Sequence, residues 1–133
     1  MKYIEDLQNG LEKCIMEKDA LMIGEDIGAP YGGAFKVTKH LAERYPDSFL
    51  MTPMSEQGFT GLGIGYALQG GYVIVEIMFG DFITLCADQL INHAAKLTDL
   101  YGNNLHFVLR TPSGGYRGYG ATHSQSLELP LIP

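Results

Sequence analysis

Three stretches of this chain carry side chains that do more than fill a core. Glu56 ends the run Thr52-Pro53-Met54-Ser55-Glu56, after a short apolar segment and at the head of a helix poor in bulky residues. A carboxyl so placed can do acid–base work. Phe79-Gly80-Asp81-Phe82 follows the most apolar strand of the chain and offers two aromatic rings as a platform for a ligand. Thr111 to Gln125, just after Arg110, sets Arg117 and His123 among Gly114, Gly115, Gly118 and Gly120. Histidine is the side chain whose charge changes near neutral pH. Each stretch has an ordinary explanation when taken alone. A glutamate at a helix start satisfies the helix dipole, an aromatic pair belongs to a core, and a lone histidine sits on a surface. A glycine-tyrosine loop is simply mobile, and its spacing is not that of a phosphate-binding loop. Only their order along the chain raises them above that.

The elements that must hold these residues follow from periodicity. Ile4, Leu7, Leu11 and Ile15 recur at helical spacing among charged residues, which predicts an amphipathic first helix. Ala20-Leu21-Met22-Ile23 is an apolar run closed by Gly24 and reads as a buried strand, with a glycine-rich loop running on to Gly33. A helix is expected over Val37 to Tyr45, stopped by Pro46, then a strand over Phe49 to Thr52. Ser55 stands in a capping position before a Gly/Ala-rich helix that runs to about Gln69. Strands follow at Tyr72 to Ile77 and Leu105 to Arg110, separated by one long helix from Phe82 to about Leu97. Strands alternating with helices predict an α/β domain, a mainly parallel sheet flanked by helices. Ligands collect beyond the carboxyl ends of such strands. The loops after Ile23, Thr52, Ile77 and Arg110 are therefore where a site should be.

Composition removes other classes. A length of 133 residues suits one domain, and 46% hydrophobic against 18% charged residues supports a buried core. A net charge of -6 without any basic run argues against nucleic acid. Phe59 to Phe79 has nearly the length of a membrane span, but Gly70-Gly71 divides it into a Gly/Ala/Leu half and a β-branched half. A buried helix, a turn and a strand are expected there, and no membrane segment. Cys14 and Cys86 form no CxxC pair and signal neither a redox motif nor a metal site. With an N-terminus unlike a signal peptide, they suggest a reducing, cytoplasmic setting.

In order, the segments GEDIG, GGAFKVTKHL, TPMSEQGFTGLGIGYALQGG, VEIMFGDF, DQLINHAAK, RTPSGGYRG and HSQS resemble successive blocks of one family. It is the beta subunit of the thiamine diphosphate-dependent decarboxylating component of 2-oxo acid dehydrogenases. The resemblance runs from about Leu7 to Glu128 and implies the pyrimidine-binding domain of transketolase-like enzymes over residues 1–133. It implies that Glu56 hydrogen-bonds the N1′ nitrogen of the cofactor's aminopyrimidine, favouring the imino form that takes the proton from the thiazolium carbon. The cofactor then supplies the hard chemistry. The resemblance also implies that Phe82 stacks on the pyrimidine ring; if a helix begins there, Phe79 and Leu85 complete that wall. His123 is implied to lie near the reacting carbon, binding the substrate carboxylate or helping acyl transfer to a lipoyl group. The cofactor would lie between two subunits. Gly58, Gly61, Gly63 and Gly65 suit a close helix contact there, or merely packing within the domain.

Departures from the family's pattern shape the rest. The chain ends at Leu129-Pro130-Leu131-Ile132-Pro133, where two prolines make a poor strand. The sheet would then be incomplete at the C-terminus, the family's C-terminal domain absent, and exposed edges left to seek partners. No segment resembles the family's GDG-type motif for magnesium and diphosphate, since Gly80-Asp81 belongs to the aromatic block. Mg2+ and the diphosphate half are therefore expected on an alpha subunit, and the isolated chain is expected to be inactive. The implied partners are that alpha subunit, a homologous beta subunit in a heterotetramer, a lipoyl-bearing acyltransferase and a 2-oxo acid. MFGDF replaces the commoner QFADF, and Tyr116-Arg117-Gly118-Tyr119 is an unusual loop spelling. Pyruvate, branched-chain 2-oxo acids, acetoin and a non-lipoyl acceptor all stay open. The competing readings are a transketolase-like or acetoin-type enzyme subunit, and a non-catalytic assembly module of the same fold.

Overall fold

The computed structural model describes residues 2–128. The reading of the last five residues, Leu129 to Pro133, as a poor strand lies outside the described residues.

The first helix, α1 (Tyr3–Lys18), forms where the apolar stripe predicts it and buries Leu11 and Ile15. At its start the Glu5 carboxylate accepts the Lys2 backbone N–H at 3.0 Å, a first-turn acid at the positive end of the helix. The chain then enters β1 (Leu21–Gly24). Next come α2 (Lys39–Arg44), β2 (Phe49–Met51), α3 (Glu56–Leu68) and β3 (Tyr72–Glu76). A 3-10 segment (Gly80–Cys86), a π-helical segment (Asp88–Ala94), α4 (Ala95–Tyr101) and β4 (His106–Arg110) follow, and an irregular loop continues from Thr111 to Glu128.

The four strands form one sheet in the order β2-β1-β3-β4, with every pairing parallel. Side chains of a strand alternate between faces, and both faces are covered. Met22 and Ile74 pack with Leu11, Ile15, Val37 and Leu41 under α1 and α2. Ile23, Val73 and Val75 pack with Phe59, Ala67 and Cys86 under α3 and the 3-10 segment. Coverage on both sides explains why β1 and β3 read as continuous apolar runs. The predicted α/β architecture, a parallel sheet flanked by helices, is the one observed.

Two predicted helices differ. The helix expected over Val37 to Tyr45 shortens to α2, because Phe35 (φ 59) and Lys36 (φ 57) turn left-handed just before it. The single helix expected from Phe82 to Leu97 is instead wound first as 3-10, then as π, then as α. Apolar spacing of three to four residues suits all three windings, so periodicity could not separate them. Ser55 does occupy the capping position of α3, but its side chain makes no capping hydrogen bond.

The glycines of α3 divide. A Cβ on Gly63 would lie 2.5 Å from Val75 Cγ2, so α3 sits tightly on its own sheet there, whereas Gly65 faces open space. Packing within the domain accounts for the first. Among the described residues no helix is long and apolar enough to cross a membrane.

Candidate functional site

Because all four strands run parallel, their carboxyl ends open on one side, at Gly24, Met51, Glu76 and Arg110. Each chemically suggestive residue lies in a loop or helix start just beyond one of those ends. The loops are stitched together by backbone bonds. Ile77 N–H donates to Arg110 O at 2.9 Å, and Gly80 N–H donates to Pro112 O at 2.8 Å. Gly80 is needed for that approach, since a Cβ there would lie 3.0 Å from Ser113 Cβ.

Phe79, Phe82 and His123 come together. The Phe79 and Phe82 rings meet edge-on at 5.7 Å, and the His123 imidazole lies 5.0 Å from Phe79 and 5.2 Å from Phe82. Tyr119 adds a fourth ring, 5.9 Å from Phe79. Edge-to-face contacts at these separations are favourable, so the histidine is held at a fixed place by aromatic neighbours. Leu85, expected to extend this wall, is 53% exposed.

Asp81 ties the loop that bears His123 to the 3-10 segment. Its Oδ1 accepts the backbone N–H of Gln125 at 3.1 Å and the Gln125 amide nitrogen at 2.8 Å. Burial works to raise the Asp81 carboxyl, but the two Gln125 bonds and the nearby His123 outweigh it and hold the group below the usual aspartate range. Hydrogen bonds to the charged form explain that direction.

Glu56 opens α3 and is 8% exposed. No hydrogen bond or ion pair from another described residue reaches its carboxyl. Two groups mark its surroundings. Burial pushes the Glu25 carboxyl up, and the negative charges of Glu56 and Asp26 push it further. Burial likewise pushes the Cys86 thiol up, the Thr60 hydroxyl opposes this, and the Glu56 charge adds to it. Glu56 therefore sits between the loop after β1 and the segment that bears Phe82. It shares no ring contact or hydrogen bond with the aromatic cluster itself.

Glu25 and Glu76 were not singled out from the sequence. Glu25 directly follows Gly24, in a loop where a site was expected. Glu76, 1% exposed at the end of β3, is ion-paired with Arg110, its direct neighbour on β4. A charge inside an apolar strand was the available signal, because buried charges need partners. Among the described residues no three His, Cys, Asp or Glu side chains gather as a metal-holding group.

A family described as "Transketolase, pyrimidine binding domain" matches residues 5–130. The chain belongs to that family. Among curated relatives, the pyruvate dehydrogenase E1 component subunit beta of Staurastrum punctulatum is 43% identical over 96% of this chain and 40% of its own length. The subunit of the same name in Porphyra purpurea is 47% identical over 85% of this chain and 35% of its own. The mitochondrial 2-oxoisovalerate dehydrogenase subunit beta 2 of Arabidopsis thaliana is 43% identical over 80% and 30%. This chain thus spans between 30% and 40% of the length of these relatives. The pyrimidine-binding family, its parallel α/β fold and the likeness to 2-oxo acid dehydrogenase beta subunits agree with the resemblance read from the seven sequence blocks.

Proposed function

We propose that this chain binds and activates the aminopyrimidine of thiamine diphosphate as part of a 2-oxo acid dehydrogenase beta subunit, at an interface with its partner. The observation that carries this reading is Glu56, a buried carboxyl with no partner among the described residues, at a helix start beyond the strand ends. The residues present fit an aminopyrimidine: a carboxyl for a ring nitrogen and, on the segment next to it, a wall of Phe79 and Phe82 for a flat ring.

When bound, the cofactor supplies the electron sink that lets a 2-oxo acid lose carbon dioxide. Glu56 is the residue that holds a proton at the pyrimidine N1′. Phe82, with Phe79 beside it, fixes the plane of the ring and keeps water from that face. His123, held against both rings, donates to the substrate or to the acyl group on its way to an acceptor.

Magnesium and the diphosphate belong, in this reading, to an alpha subunit, so the isolated chain is inactive and the working form is a heterotetramer with a second beta subunit. The acceptor is a lipoyl-bearing acyltransferase. The 2-oxo acid is left between pyruvate and branched-chain acids by the names of the relatives. We place the protein in the cytoplasm, a reducing setting that suits the two free cysteines, Cys14 and Cys86. The test is to co-express the full-length protein with its alpha partner, titrate thiamine diphosphate and magnesium by calorimetry, and follow carbon dioxide release from a panel of 2-oxo acids. Release that is lost in Glu56→Gln supports the proposal. Absence of both cofactor binding and release would replace it with a non-catalytic module.

A further inference from the structure

The loop from Thr111 to Glu128 carries His123, and most of its hydrogen bonds only fold it upon itself. Gly118 N–H donates to Gly115 O at 3.0 Å, Tyr119 N–H donates to Ser124 Oγ at 2.8 Å, and Ser113 Oγ donates to Glu128. His123 is bonded within the loop as well. Its backbone N–H donates to Gly120 O at 3.3 Å, and its Nδ1 lies 2.8 Å from the Thr122 hydroxyl. With Nδ1 engaged, Nε2 is the ring nitrogen left for a reactant.

Beyond Pro112, the hydrogen bonds from this loop to the rest of the described protein end on a single atom. That atom is Asp81 Oδ1, which accepts both Gln125 donors, 44 residues along the chain and two residues past His123. Asp81 is built for the task. It is 7% exposed and stands in the 3-10 segment directly before Phe82, and the Thr84 hydroxyl donates to its backbone oxygen at 3.2 Å. Hydrogen bonds to an ionised carboxylate are about twice as strong as neutral ones. A loop holding Gly114, Gly115, Gly118 and Gly120 gives up much backbone freedom when it is fixed, and edge-on ring contacts alone offer little against that.

We infer that Asp81 is a positioning residue for the reaction, which by gripping Gln125 keeps His123 against the Phe79 and Phe82 rings. This rests on the reading above, in which His123 donates to the substrate or the acyl group. Asp81 itself touches neither. One short segment then does two things: Phe82 fixes the plane of the cofactor ring, and its neighbour Asp81 fixes the histidine relative to that ring. Such registration matters, because displacing a reacting group by about 1 Å costs about 100-fold in rate.

The test is a double-variant cycle in the complete enzyme with its alpha partner, thiamine diphosphate and magnesium. Carbon dioxide release from pyruvate and from a branched-chain 2-oxo acid is followed in the first turnover, and in steady state with lipoamide as acceptor. His123→Ala should slow at least one of these phases. Asp81→Ala should slow the same phase by about 10- to 100-fold, the range for lost bonds to a charged group, through kcat more than KM. Asp81→Asn keeps an oxygen for Gln125 and should recover part of that loss. The double variant should be no slower than His123→Ala alone, since nothing is then left to position, whereas a merely structural role adds a further loss. Exchange of the thiazolium C2 proton with deuterium, assigned to Glu56, should keep its wild-type rate in Asp81→Ala. Additive losses in the double variant, a fall in C2 exchange matching the fall in turnover, or full activity in either single alanine variant would overturn the inference and leave the decarboxylase reading standing. No carbon dioxide from any 2-oxo acid would overturn both.

Discussion

Replacing Arg110 with methionine tests how the floor of the site is held. Glu76 and Arg110 end adjacent strands in direct register, and their side chains are only 2% and 13% exposed. Burial pushes the Glu76 carboxyl above the usual range, while the Arg110 charge and hydrogen bond, and the Ala34 backbone N–H, draw it back. Methionine fills much of the arginine's space but leaves only the Ala34 backbone N–H to offset the burial of the carboxylate. Breaking a buried pair in this way costs about 3–5 kcal/mol, a large share of the roughly 5–15 kcal/mol that hold an ordinary domain together. The cost depends on pH in a defined sense. The folded-state pKa of Glu76 lies above its unfolded value, so its contribution to stability is fullest below the ordinary carboxylate range. That contribution is lost as pH rises through the raised value. Arg110→Met raises it further, so the deficit should be largest at neutral pH and shrink in mild acid. Adding Glu76→Gln should restore part of the loss, because an amide brings no charge to bury. Urea unfolding of wild type, single and double variants at the two pH values measures this. A deficit below about 1 kcal/mol, the size expected of an exposed pair, or one that does not change with pH, would refute the reasoning.

Asp81→Asn should loosen the grip on Gln125, so that amides over residues 111–125 exchange faster in deuterium oxide while those of β1 and β3 do not; equal protection would put the anchor elsewhere. Since the Asp81 carboxyl lies below its ordinary range, its contribution is present above that range and lost only as pH falls through the lowered value, and wild-type protection of the loop should survive mild acid. Phe82→Ala in the assembled enzyme should weaken cofactor binding by about 1–3 kcal/mol, as for an aromatic side chain lost from a buried contact. Calorimetry that finds unchanged affinity would return Phe82 to an ordinary packing role.

Much of the architecture was legible because the core is two-sided. Tyr72 to Glu76 is apolar on both faces of its strand, and the amphipathic stripe of α1 has one buried edge, so each announces itself in sequence. The stretch from Phe82 to about Leu97 reads as one helix in sequence because its apolar residues, Phe82, Leu85, Leu90 and Leu97, recur at intervals that do not single out one helical winding. Tertiary demands decide the pitch there: Asp81 is tied to Gln125, and both Phe79 and Phe82 contact His123. α2 was overextended because no sequence rule places phenylalanine and lysine in the left-handed region at Phe35 and Lys36. In the candidate site, Phe79, Phe82 and His123 could be named because their block spellings are distinctive, and the fold brings these three together. Their link to Asp81 depends on a bond spanning 44 residues, which spacing does not reveal. Glu25 and Glu76 were hidden for the opposite reason, since each stands beside an apolar run where a charge looks incidental until its neighbours are known.

The most direct test of the central claim is the rate at which the thiazolium C2 proton of bound thiamine diphosphate exchanges with deuterium in the assembled enzyme. If Glu56 holds the proton at N1′, Glu56→Gln should slow that exchange by about 10²- to 10⁴-fold, the usual range for a positioned acid–base group, with cofactor still bound. Exchange at the wild-type rate in Glu56→Gln, at full cofactor occupancy, would contradict the assignment of Glu56 and with it the proposed role of this domain.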